Sequence, residues 1–182
     1  MGNELTRNMR ALKAWRVRRV LFVGLDSAGK TTCVRLLEGK NPKNTVPTTE
    51  SNFTEIKYKH FKLLLTDMGG QSTLRPYWRH HYTGTQGIVF VIDSTDRGRF
   101  DDALNELRVL LVDAQLDDIP LFVFANKQDR QGAATVEEVR SVFVTNNDKI
   151  GKRPTYIAAG SALTGDGLYQ GLDWLLTEMQ RL

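Results

Sequence analysis

The stretch GLDSAGKTT, Gly24 to Thr32, satisfies the spacing GxxxxGK[ST] through Gly24, Gly29, Lys30 and Thr31. That spacing suits phosphate chemistry, because glycines let backbone amides reach phosphate oxygens that side chains would otherwise block. On this reading the segment Asp26, Ser27, Ala28, Gly29, Lys30, Thr31 and Thr32 cradles the phosphates. The Lys30 ammonium bridges the terminal ones, and the Thr31 hydroxyl ligates Mg²⁺. Cys33, just inside the following helix, reads as a small buried hydrophobe.

Two further motifs extend the chemistry. LLLTDMGGQ ends a strand pattern at Asp67, which would hold Mg²⁺ through water. The Gly70 amide would meet a γ-phosphate, and Gln71 would orient an attacking water. Alone, DMGGQ also fits a tight turn; the upstream phosphate loop favours the nucleotide reading. NKQD supplies Asn126, Lys127 and Asp129 after a third apolar run. A carboxylate at Asp129 accepts from the ring N–H and exocyclic amine of guanine, whereas adenine presents an acceptor nitrogen there. A site built for such paired contacts rejects the wrong partner by up to ~10⁴-fold. Lys127 would lay its stem over the base, and Asn126 would tie this loop to the phosphate loop. Ser161, Ala162 and Leu163 would add a backbone amide to the guanine carbonyl. GTP and GDP are therefore the expected ligands.

The elements that must position these groups are legible as short apolar runs: VLFVG (20–24), GIVFVID (87–93), PLFVFAN (120–126) and TYIAA (155–159). They are too short for helices and lack strict alternation, as strands covered on both faces do. Helical spacing lies between them, at Phe100, Leu104, Leu107 and Leu111 with Asp96 as cap, and at Val136, Val139 and Phe143. Thr135 and Glu138 form a capping box before the second set. Leu168, Leu172, Leu175, Leu176 and Met179 mark a final amphipathic helix. FTEIKY and FKLLLTD, two residues apart, predict a hairpin and one antiparallel edge strand. The class is α/β, a doubly wound, mostly parallel sheet with helices on both faces.

At 182 residues the chain fits one principal domain. A single cysteine excludes an internal disulfide, and no stretch is long and apolar enough to span a bilayer. The expected compartment is the cytoplasm, with reversible membrane association. The net charge of +4 gathers near the start, at Arg7, Arg10, Lys13, Arg16, Arg18 and Arg19 against Glu4. Without aromatic platforms across a basic face, nucleic acid is not the expected partner.

Taken together, GLDSAGKTT, VPTT, DMGGQSTLRPYW, VIDSTDR, ANKQD and SALTGDGLYQGLDWL resemble the ADP-ribosylation-factor (Arf) and Arf-like family of small GTPases over almost the whole chain. The resemblance implies a small G-domain of the P-loop NTPase fold with a six-stranded sheet. It also implies a GTP/GDP switch with Mg²⁺, and partners comprising an exchange factor, an activating protein and effectors. The setting implied is membrane, vesicular or ciliary trafficking, by a monomer. By the same resemblance Thr48, in VPTT, is the hydroxyl that joins Mg²⁺ only when a γ-phosphate is present. No arginine stands out as a built-in finger, so unassisted hydrolysis is expected to be slow.

MGNELT fits the myristoylation pattern at Gly2, and Leu5, Met9, Leu12 and Trp15 fall at helical spacing beside basic residues. Residues 1–16 are thus expected to be an amphipathic, lipidated helix that meets a membrane surface, and 17–182 the G-domain. The sequence departs from its relatives after VPT, where Thr49, Glu50, Ser51 and Asn52 replace a segment that usually carries a glycine and a phenylalanine. Thr66 and His81 stand where aromatics are usual. Loss of three aromatics predicts an altered effector set. Glu50 beside the switch leaves open an alternative, a GTP-dependent scaffold with little hydrolysis. A P-loop ATPase or nucleotide kinase is opposed by NKQD.

Overall fold

The computed structural model describes residues 16–145, 147–151 and 153–181. The expected helix over 1–16, with Gly2, lies outside the described residues except for Arg16. Among the described residues six strands form one sheet: β1 (Arg16–Val23), β2 (Asn52–Tyr58), β3 (Phe61–Asp67), β4 (Gly87–Asp93), β5 (Leu121–Asn126) and β6 (Thr155–Ala159). Their order is β2-β3-β1-β4-β5-β6, all pairs parallel except β2 with β3.

Alternation sorts the strand side chains into two cores, since successive residues face opposite sides of a sheet. Leu21, Val23, Phe90, Ile92, Val123 and Ala125 pack on one face. They meet Leu104, Leu107 and Leu111 of helix α2 (Phe100–Leu111). Val20, Phe22, Val89, Val91, Phe122 and Phe124 pack on the other. There they meet Cys33 and Val34 of α1 (Lys30–Leu37) and Leu168, Leu172 and Leu175 of the C-terminal helix (Leu168–Glu178). Because both faces are covered, β4 and β5 read as unbroken apolar runs. β2, at the sheet edge, is mostly exposed and carries a Glu55–Lys62 pair at 2.8 Å across to β3. Charges on such an edge discourage pairing with a foreign strand.

Three expectations need correction. β1 starts at Arg16, four residues before the apolar run, because its pairing with β3 from Arg16↔Phe61 onward uses backbone groups and tolerates exposed arginines. Arg16, the last residue of the expected helix, therefore belongs to the sheet, as do Arg18 and Arg19. Asp96 makes no side-chain cap; its carboxylate accepts from Arg99 Nε at 2.6 Å instead. The capping box at Thr135 and Glu138 does form, yet its helix α3 (Val136–Arg140) runs on as a π turn over Ser141–Thr145, which keeps Phe143 buried.

Candidate functional site

β1 lies where the chain connections diverge to either side of the sheet, and the loops leaving the carboxyl ends of β1, β3, β4, β5 and β6 gather there. Ligands of open α/β sheets bind at such a point. A cavity of about 590 Å³ opens there, lined by the Asp26–Thr32 loop, Pro47, Thr48, Gly70, Gln71, Lys127 and Leu163. Gly24 and Gly29 hold φ of 139° and 98°, where L side chains are strained. Gly29 caps α1, whose amino end faces the cavity as an anion site would require.

Lys30 is buried and donates to the Leu25 carbonyl at 2.7 Å. Burial pushes its ammonium down to about 8, against Asp67 and Asp26, which favour the charged form. Thr31, Thr48 and Asp67 arrive from three separate segments and meet. The two hydroxyl oxygens lie 2.7 Å apart; Thr31 donates to Asp67 Oδ2 at 2.7 Å and Thr48 at 3.4 Å. The other carboxylate oxygen of Asp67, Oδ1, is buried without a hydrogen-bond partner, and burial raises the pKa of the group. An all-oxygen set with one uncompensated carboxylate oxygen fits a hard divalent cation such as Mg²⁺.

The glycine pair is fixed from behind. Trp78 Nε1 donates to the Gly69 carbonyl at 2.8 Å, and Arg75 Nε to the Gly70 carbonyl at 2.9 Å. The Gly70 carbonyl also accepts from the Asp26 amide at 3.0 Å. A methyl group at Gly70 would lie 2.3 Å from the Asp26 nitrogen, so the close approach requires glycine. Gln71 follows, exposed on the cavity rim.

Behind the cavity Asn126 is buried, donates Nδ2 to the Ala28 carbonyl at 2.8 Å and accepts from the Ala162 amide at 2.8 Å. Lys127, at φ 67°, pairs with Asp93. Burial works against the Asp93 carboxylate, but Lys127 and Thr95 together hold it below its usual range. Ser161 is buried and donates its hydroxyl to Asp129 Oδ1 at 2.5 Å. Sequence reasoning assigned Ser161 to a loop that lends an amide; its side chain also orients the carboxylate. The amides of Ser161, Ala162 and Leu163 already have acceptors in Asp166, Asn126 and the Ser161 hydroxyl.

Sequence reasoning missed Arg75 and Arg99. Both reach Asp26 of the phosphate loop, from 49 and 73 positions away in the chain, and no local spacing announces them. It also treated the departures near Thr48 as a plain loss of aromatic area. Ser51 Oγ lies 2.9 Å from His81 Nε2, and the exposed Phe53 ring stands 5.4 Å from the imidazole. Two of the departing residues thus bond to each other, and Phe53 returns a ring to that surface. Phe53, His81 and Thr66 line a groove of about 510 Å³.

The sequence pattern of the ADP-ribosylation factor family matches residues 5–179. The chain belongs to that family. Among solved structures, the Arl6 (BBS3) small GTPase of Trypanosoma brucei with the bound nucleotide analogue GppNp superposes with a TM-score of 0.83 at 28% identity, over 91% of this chain and 98% of that one. The architecture is accordingly the small G-domain that the motifs foretold. As a member of the Arf family, the chain is a small GTPase, a guanine-nucleotide-binding switch. Among the described residues no helix is long and apolar enough to cross a membrane.

Proposed function

We propose that this Arf-family chain binds GTP and GDP with Mg²⁺, hydrolyses GTP slowly without an activating protein, and acts in membrane trafficking. The observation that carries the reading is the meeting of the Thr31 and Thr48 hydroxyls, which line the phosphate cavity, with the buried Asp67 behind them. Mg²⁺ held there would neutralise charge shared by the β- and γ-phosphates. Lys30 bridges the terminal phosphates, and the Gly70 amide takes a γ-oxygen. Thr48, whose hydroxyl lies beside Thr31 and Asp67, would report the third phosphate by joining Mg²⁺ when that phosphate is bound. Gln71 orients water for in-line attack. Asp129, oriented by Ser161, reads guanine, with the Lys127 stem over the ring and Asn126 bracing both loops. The basic amino-terminal residues and a myristoyl group on Gly2 would together hold the chain at a membrane, since one acyl chain alone binds only marginally. Exchange factors, activating proteins and effectors complete the cycle.

Single-turnover GTP hydrolysis by the purified full chain, with and without cell extract, tests the reading. Slow turnover that extract accelerates is expected. Thr48→Ala should weaken binding of GppNp far more than binding of GDP. Equal affinities for the two in wild type and variant would remove Thr48 from the switch. Turnover that no extract accelerates would favour the scaffold alternative.

A further inference from the structure

We propose that Arg99 and Arg75 are positioning residues that hold the Asp26 carboxylate back from the phosphates, so that the cradle accepts a third one. The proposal rests on the guanine-nucleotide reading above. Asp26 is the sole acid between Gly24 and Thr32, and it lines the cavity beside Lys30, Gly70 and Gln71. It stands near enough to Lys30 to help keep that ammonium charged. A carboxylate free to turn toward the cavity would repel a γ-phosphate, which adds negative charge at the end of the ligand nearest Gly70.

The structure shows how that motion is prevented. Arg99 Nη1 donates to both carboxylate oxygens, at 3.0 and 3.1 Å, and Nη2 reaches the Asp26 carbonyl at 3.4 Å. Arg75 Nη2 lies 3.5 Å from Asp26 Oδ1. Each guanidinium is itself anchored: Arg99 Nε on Asp96 at 2.6 Å, and Arg75 Nη1 on Glu106 at 3.0 Å. Arg75 also holds the Gly70 carbonyl that accepts from the Asp26 amide, so acid, amide and glycine are set by one guanidinium. The Asp26 and Arg99 side chains are 41% and 34% exposed, so their pairing contributes little to stability. Its effect should appear instead in which nucleotide is preferred.

The test compares wild type, Arg99→Ala, Asp26→Asn and the double variant as full chains with Mg²⁺. Affinities for GDP and GppNp are measured by fluorescence titration, and folding is checked by thermal melting. Arg99→Ala is expected to lower the GppNp-to-GDP affinity ratio about threefold to fivefold, the scale of a partly exposed charge pair. Asp26→Asn alone measures what the carboxylate contributes, and in the Arg99→Ala background it should raise the ratio back toward that of Asp26→Asn. If Arg99→Ala does not fold, Arg99→Lys, which keeps the charge but loses the two-oxygen contact, should give a smaller drop in the ratio. Equal losses for both nucleotides, or a double variant no better than Arg99→Ala, would overturn the proposal. A wild-type chain that binds neither nucleotide would sink the functional reading itself, and this inference with it.

Discussion

A buried lysine whose free ammonium titrates near 8 makes nucleotide affinity depend on pH. Phosphate oxygens on the proposed reading would hold Lys30 protonated and raise its pKa above the free value of about 8, so binding would take up a proton at higher pH. Affinity should therefore be full below pH 8 and fall as pH rises past it, by at most about tenfold per unit. Calorimetric GDP titrations at pH 7 and 9 check this, and an unchanged affinity would contradict the role given to Lys30. Residue identities at this site were readable because motif spacing is local: Gly29, Lys30 and Thr31 are neighbours, as are Asn126 to Asp129. The partners that orient them were not readable. Ser161 to Asp129, Arg99 to Asp26 and Ser51 to His81 are contacts that only the folded chain brings together.

At the scale of elements, the strands were legible wherever burial on both faces left an apolar run, and illegible where backbone pairing alone extends β1 through arginines. The departure at Ser141–Thr145 was also hidden, since a π turn keeps the same apolar residues and changes only the hydrogen-bond step. The C-terminal helix yields a prediction in which two effects oppose. Alanine exceeds glycine in helix propensity by about 1 kcal/mol. Yet a methyl group on Gly171 would lie 2.0 Å from Phe122 Cζ, with two more ring atoms within 2.4 Å. Phe122 is fully buried within the packed core, so overpacking of about 1–3 kcal/mol should win. Gly171→Ala is expected to destabilise in urea melts, and Phe122→Leu should relieve part of that penalty. A more stable Gly171→Ala would show that the interface can shift.

For the whole molecule, ligand binding and folding are one equilibrium. GDP or GTP with Mg²⁺ at a hundred times its dissociation constant should add about 2.7 kcal/mol, or roughly 5–10 °C in Tm for a domain of this size. ATP at the same concentration should leave Tm unchanged, and an equal shift would refute the guanine reading of Asp129. Asn126 gives this coupling a mechanical form. One amide side chain grips Ala28 in the phosphate loop and Ala162 in the loop that orients Asp129. The two loops are therefore a single jaw with one pivot, and a strain applied at the base end of a bound nucleotide would be felt at its phosphates. A partner that pried up either loop would need no contact with the other to loosen the whole nucleotide.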